Sequence, residues 1–392
     1  MPAIYSVLRV NISAIRRSRW CCRAIIPCKL NNRKLLNVAL AHDYLNQRGG
    51  AERVFAHMVA AWPDAPVYTA LYDEAMVGDL VPRARVHTSG LARIPGANRN
   101  FRYLAPLYPR AFEAFDLSRY DVIVSSTSSW AKGVRIRPDA VHVCFIHTVS
   151  RFLFDYDHYV GAMTRNPLAK MMVNRLVDWD LEASQRPTRY VANSQTVAER
   201  VRRYYGRDAD VLHSPADIDR FTLGTGEGNY FFIASRLLPY KRIELAIDAA
   251  QRARVPLLVA GSGPSERELR ERARGTTTRL LGHVSDQRLN ALLGQARAVI
   301  LPGEEDLGLV PIEAAATGRP TIAYRGGGAR ETVVEGVTGE FFDEPAAESL
   351  EGVLRSFDAA HYDAQTLRAH AEQFSPQRFI ERFRAIVEST RA

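Results

Sequence analysis

Two carboxylates, Glu305 and Glu313, bracket the run Glu305-Asp-Leu-Gly-Leu-Val-Pro-Ile-Glu313, just after Ala298–Leu301, which reads as a buried strand. Acids at the rim of a sheet sit where α/β folds bind ligands, and they can accept hydrogen bonds from a ligand's hydroxyls. Gly308 and Pro311 argue against a regular helix across the whole interval, because glycine is conformationally loose and proline lacks a donor. The spacing predicts Glu305 on a loop and Glu313 in the first turn of an apolar helix that runs to Gly318. Unpaired N–H groups at such a helix start carry partial positive charge and suit an anion such as a diphosphate. A glutamate in a first turn is also ordinary dipole compensation, so the context decides.

That context supplies cations and glycine loops. The segment Ser235-Arg-Leu-Leu-Pro-Tyr-Lys-Arg-Ile243 follows a strand at 230–234 and sets Arg236 and Lys241 at its end, where two cations could hold a diphosphate. Gly261-Ser-Gly-Pro264 and Gly326-Gly-Gly-Ala-Arg-Glu331 follow, as loops that let a backbone approach a phosphate. Upstream, Gly49 and Gly50 stand between a strand at 36–42 and an apolar-periodic helix from Arg53 to about Trp62. His147 directly follows the strand Val141–Ile146, a strand-end position facing a cleft. Together these parts describe a nucleotide-diphosphate site.

The elements that must position these residues alternate strand and helix. Further buried strands are expected at 121–125 and 190–194, and the pattern restarts after the glycine-rich 223–229 stretch with strands at 230–234, 255–260, 298–301 and 320–323. Two successive β/α domains are implied, at 35–222 and 223–374. Ser375 caps a final helix at 375–392 that begins with Pro376 and places Phe379, Phe383 and Ile386 on one apolar face.

Composition narrows the class. A hydrophobic content of 46% with 24% charged residues is that of a soluble globular protein, and no apolar run reaches the roughly 20 residues that span a bilayer. Of the formal net charge of +9, the leader at 1–34 carries all but one unit, so the body gives no general case for nucleic-acid binding. The leader also holds Cys21, Cys22 and Cys28, which leaves Cys144 alone in the body. No disulfide framework or well-spaced zinc site follows, and a reducing cytoplasm fits. The leader lacks the continuous apolar core of a signal peptide. It reads as a membrane-surface tether or as residues added by an early start codon, with a disordered basic arm as the third reading.

In order along the chain stand the Gly49-Gly50 loop, His147-Thr148, Arg236 to Lys241, Gly282-His-Val-Ser-Asp286, Glu305 to Glu313, Gly326-Gly-Gly328 with Glu331, and Thr338-Gly339. This series resembles glycosyltransferase family 4, the retaining enzymes of the GT-B fold, from about Leu35 to the C-terminus. The resemblance implies an α/β fold of two Rossmann-like domains facing across a cleft, an acceptor-binding first domain, a donor-binding second one, and a last helix that returns to the first. It assigns catalytic roles to His147, Arg236, Lys241 and Glu305. Donor contacts are implied for Gly49, Gly50, Arg236, Lys241, His283, Val284, Gly308, Leu309, Val310 and Glu313. Glu313 is expected on the ribose hydroxyls, Glu305 near the donor sugar and His147 beside the anomeric region. No metal or cofactor is required, because Arg236 and Lys241 neutralise the departing diphosphate. Relatives commonly carry proline after His-Thr, whereas here Val149 and Ser150 follow.

The 304–313 run most resembles the bacterial mannosyltransferases of O-antigen and exopolysaccharide assembly, which makes GDP-mannose the first expectation for the donor. UDP-glucose, UDP-galactose and a rhamnosyl donor remain alternatives. Arg93-Ile-Pro-Gly-Ala-Asn-Arg99-Asn-Phe101-Arg102-Tyr103-Leu104 mixes cations with apolar groups, as an anionic membrane surface would select. The expected acceptor is a polyprenyl-diphosphate-linked saccharide at the inner face of the cytoplasmic membrane. The alternative from another class is a silent sugar-nucleotide-binding scaffold of a polysaccharide assembly complex.

Overall fold

Among the described residues, thirteen short strands divide into two sheets. The computed structural model describes residues 37–154, 167–226 and 228–391; the leader at 1–34 lies outside them. The first sheet comprises β1 (Val38–His42), β2 (Val67–Thr69), β3 (Val86–Thr88), β4 (Val122–Thr127), β5 (Val141–Ile146), β6 (Arg189–Ala192) and β7 (Ala209–Val211). Its order is β3-β2-β1-β4-β5-β6-β7, with every pairing parallel. The second holds β8 (Phe231–Ala234), β9 (Leu257–Ala260), β10 (Thr278–Gly282), β11 (Ala298–Leu301), β12 (Thr321–Tyr324) and β13 (Gly339–Phe342), ordered β10-β9-β8-β11-β12-β13, again all parallel. The central strands β1, β4 and β11 are buried along their whole length, because helices cover both faces of a parallel sheet.

The chain therefore adopts the expected α/β architecture of two Rossmann-like lobes. Strand order reverses beside β1 in one sheet and beside β8 in the other, and ligands of such sheets bind at the strand ends next to that reversal.

The final helix, Pro376–Arg391, buries Phe379, Phe383 and Val387, which recur every four residues and share one face. Phe383 meets Trp62 and Phe145 edge-on at 5.8 and 5.6 Å, so this helix packs on the first lobe. Where the chain passes between lobes, Ala216 N–H donates to the Phe374 carbonyl at 3.0 Å and ties the outgoing and returning segments together. Among the described residues, no helix is long and apolar enough to cross a membrane.

One local expectation needs correction. The helix bearing Glu313 begins at Leu309, four residues earlier than Glu313, so Glu313 lies in its second turn rather than its first. Pro311 is tolerated because it occupies the first turn, where its missing N–H would have had no partner.

Candidate functional site at the lobe interface

At the second lobe's rim, β8 runs into the loop 235–238 and a short turn, Pro239–Lys241, while β11 runs into 302–308. The two loops touch at Gly303. A methyl group there would stand 2.5 Å from the Tyr240 carbonyl oxygen and 2.9 Å from Lys241 Cα, so only glycine allows the approach. The consequence is an ion pair between Lys241 Nζ and Glu305 Oε1, with side chains 15% and 17% exposed. The Glu305 carbonyl accepts from Gly328 N–H at 2.8 Å, which ties this loop to the glycine run after β12. Arg236 is exposed nearby and has no side-chain hydrogen bond or ion pair among the described residues.

Gly308 caps the Leu309–Ala316 helix with φ +83°, a left-handed conformation that glycine adopts without penalty. Its open N–H groups face the same rim. Glu313, partly buried one turn on, has its carboxyl pushed up to about 7 by burial, an effect only partly countered by Arg53 and Arg220 and reinforced by Asp217 and Asp286. These neighbours form a chain. His57 Nε2 lies 2.9 Å from Asp217, Arg220 pairs with Asp286 at 2.5 Å and reaches Asp217 at 3.9 Å, and Arg53 approaches Asp286 at 3.8 Å. Arg53 and His57 belong to the first lobe's Gly50–Ala61 helix, so the chain spans the cleft. His283 is exposed, and Val284 packs with Leu309 and Val310 on one apolar cluster.

Across the cleft, the ends of β1, β4 and β5 carry a buried polar group. Ser126 Oγ lies 3.1 Å from His42 Nδ1 and 2.8 Å from His147 Nε2. The hydroxyl has one proton to give, so one ring receives it and the other donates to the same oxygen, which couples the two imidazole tautomers. Burial holds His147 down to about 3, with the His42 ring adding to it, and burial also lowers His42. Both rings are neutral at physiological pH. Asp43 accepts from Thr127 Oγ1 and from the N–H groups of Ser128, Ser129, Trp130 and Ala131 at 2.7–3.0 Å. With those acceptor sites filled, it staples the loop after β4 to β1. Gly49 N–H donates to Glu52 Oε2 at 2.8 Å, which fixes the start of the Gly50–Ala61 helix.

The lobes meet over these loops. A methyl group on Gly50 would be 3.4 Å from Leu309 Cδ1, so the glycine loop of the first lobe abuts the helix start of the second. Arg200 and Arg151 of the first lobe both reach Asp306, and Ser194 Oγ donates to the Asp306 carbonyl at 2.5 Å. Lys241, Glu305 and the 308–310 helix start thus lie along one rim with the Gly49-Gly50 loop against it. No hydrogen bond or ion pair joins His147 or Arg236 to the Lys241–Glu305 pair among the described residues. Sequence reading passed over His42, Asp43, Arg53, Ser126, Arg200 and Asp306. His42, Asp43 and Ser126 share the strand-end signal that marked His147; Arg53, Arg200 and Asp306 have partners that lie far away in sequence.

Comparison with known proteins converges on one group. The family described as Glycosyltransferase Family 4 matches residues 48–220, and that described as Glycosyl transferases group 1 matches 216–372. The chain is 37% identical over 125 residues to a glycogen synthase of Mycobacterium tuberculosis, covering 29% of this chain and 30% of that protein. It is 30% identical over 149 residues to O-antigen chain mannosyltransferase C of Escherichia coli, covering 34% and 39%. It is also 30% identical over 228 residues to the GDP-mannose-dependent alpha-(1-6)-phosphatidylinositol monomannoside mannosyltransferase of Mycolicibacterium smegmatis, covering 47% and 60%. The matches thus span between about a third and three fifths of these relatives' lengths. In fold, it superposes on Anabaena HepE, solved in complex with UDP, with a TM-score of 0.67 at 18% identity over 90% of this chain and 100% of that one.

Proposed function

This chain belongs to the glycosyltransferases of group 1 and family 4, and from that membership we propose that it is a retaining, metal-independent hexosyltransferase that moves mannose from GDP-mannose to a lipid-linked saccharide. The observation that carries the reading is the meeting of Lys241 and Glu305 at the open N-terminus of the Leu309–Ala316 helix, beside the strand-order reversal of the second sheet. A cation, a carboxylate and unpaired N–H groups at one sheet edge match a ligand that is anionic at one end and hydroxyl-rich at the other.

Arg236 and Lys241 receive the diphosphate, and their charge stabilises the leaving group as the glycosidic bond to phosphate breaks. Lys241 then exchanges part of its contact with Glu305 for phosphate oxygens, which frees Glu305 for the sugar's hydroxyls. Glu313 accepts from the ribose hydroxyls, and the backbone at Gly308, Leu309 and Val310 completes the phosphate and sugar contacts. His147, neutral and held by Ser126, borders the sugar from the opposite lobe. Closure of Gly50 over Leu309 excludes water while oxocarbenium character develops.

Support for mannose comes from the two mannosyltransferase relatives, one of them GDP-mannose-dependent; the glycogen synthase relatives and the UDP-bound fold neighbour support a nucleotide sugar more generally. An acceptor on a lipid carrier is supported by the exposed surface of the first lobe. There Ile94, Tyr103 and Leu107 stand out at 39%, 84% and 43% exposure among the exposed Arg93, Arg99, Arg102 and Arg110. Apolar side chains ringed by arginines suit the inner, anionic face of a membrane and a role in cell-surface polysaccharide assembly. The direct test is Glu305→Ala, which should abolish transfer while leaving the circular dichroism spectrum and Tm of a folded protein. Full activity in that variant would remove Glu305 from the site.

A further inference from the structure

We propose that Arg200 and Ser194 of the first lobe are positioning residues for Glu305 of the second, so that the donor-sugar subsite is completed only where the lobes meet; this rests on the assignment of Glu305 to the donor sugar. The residues on both sides of Glu305 are held from the opposite lobe. Arg200 Nη2 donates to Glu304 Oε1 at 2.9 Å, and its Nη1 reaches the Asp306 carboxylate, which Arg151 also contacts. Ser194 Oγ donates to the Asp306 carbonyl at 2.5 Å while accepting from Val197 N–H at 3.1 Å, so one hydroxyl both caps the Gln195–Tyr205 helix and grips the donor loop.

A second connection reaches Glu305 from behind. Its carbonyl accepts from Gly328 N–H at 2.8 Å, and three residues further on Glu331 returns to the first lobe. The Glu331 carboxylate accepts from Gln195 N–H at 2.8 Å, Thr196 N–H at 3.2 Å and His213 Nε2 at 2.9 Å. The first N–H groups of the Gln195–Tyr205 helix, which no helix can satisfy internally, are therefore capped across the lobe interface. Parting the lobes would strip those caps and release Glu304 and Asp306 together.

Geometry makes Glu305 dependent on its neighbours. Consecutive Cα atoms are about 3.8 Å apart, so a residue clamped between two anchored neighbours follows any shift in them. A carboxylate whose reach to the sugar changes by about 1 Å can lose about 100-fold in rate with no change in its own chemistry. The partly buried pairs of Arg200 and Arg151 with Asp306 are less screened by salt than the exposed Arg200–Glu304 pair, so the Asp306 anchor carries more of the clamp at physiological ionic strength.

The test uses the full-length protein with Arg200→Gln, Arg200→Lys, Asp306→Asn and the Arg200→Gln/Asp306→Asn double variant. It reads kcat and donor KM for transfer, and the Kd of free GDP and UDP by calorimetry. The expected result for Arg200→Gln is a fall in kcat of about 100-fold, with the nucleotide Kd changed by less than about threefold. Arg200→Lys should recover part of the loss, and the double variant should be no worse than the poorer single one. The proposal is overturned if kcat is unchanged, if kcat and nucleotide affinity fall in parallel, or if the two single effects add. Glu305→Ala measured alongside separates the two layers. An inactive Glu305→Ala beside a fully active Arg200→Gln defeats only the clamp, whereas an active Glu305→Ala defeats the site assignment and the clamp with it.

Discussion

Glu313 carries the least favourable charge of the site, since burial lifts its carboxyl from an ordinary 4.5 to about 7 against the pull of Arg53 and Arg220. A raised carboxyl means that the folded protein holds a proton the unfolded chain has already lost. Between about pH 4.5 and 7 this group therefore lowers stability as pH rises. Glu313→Gln removes that contribution. Urea unfolding at pH 5 and pH 8 should show a smaller loss across the interval in the variant, and its affinity for a free nucleotide should fall because the ribose loses an ionisable acceptor. An unchanged pH slope would place the strain elsewhere. His147 lies at the other extreme. Held at about 3, it stays neutral from pH 5 to 9, so the kcat/KM profile should show no His147 limb near 6.5. A limb there that vanishes in His147→Asn would contradict its buried, Ser126-bound state.

At the scale of elements, the returning helix Pro376–Arg391 packs its apolar face on the first lobe. Phe383 is fully buried, with Trp62, Phe145 and Phe379 around it at 5.5–5.8 Å. Phe383→Ala should cost about 3–5 kcal/mol by the lost burial and the cavity left behind. Hydrogen exchange would then rise in β5 and in the Gly50–Ala61 helix before it rises in the second sheet; uniform acceleration of both lobes would argue against this localisation. The central strands were legible in sequence because β1, β4 and β11 begin as apolar runs, and β5 does so apart from His142, with polar residues at or just after their ends. The short outer strands were not. β2, β3 and β7 have three residues each, and β10 and β13 interleave charged residues with apolar ones, which is too little periodicity to separate from a loop. The helix start at Leu309 escaped because Pro311 reads as a breaker unless it is known to lie in the first turn.

At the scale of the whole molecule, the loops that end β1, β5, β8 and β11 were each legible as ligand-binding candidates, because a strand-end position is written locally. Which loops touch is not. Gly303 admits the 239–241 turn within the second lobe, while Gly50 faces Leu309 and Arg200 reaches Glu304 and Asp306 between the lobes, contacts set by tertiary packing and carried by no spacing in the chain. The Lys241–Glu305 pair at the start of the Leu309–Ala316 helix, which these contacts position, is the basis for reading the protein as a nucleotide-sugar-dependent transferase. The most direct measurement is therefore a panel of GDP- and UDP-sugars, with EDTA present, scored by thermal shift and by release of the nucleotide with and without lipid-linked saccharide acceptors. One donor, expected to be GDP-mannose, should raise Tm and yield its nucleotide without any divalent ion. Binding with no turnover under any acceptor, or turnover abolished by EDTA, would contradict the account.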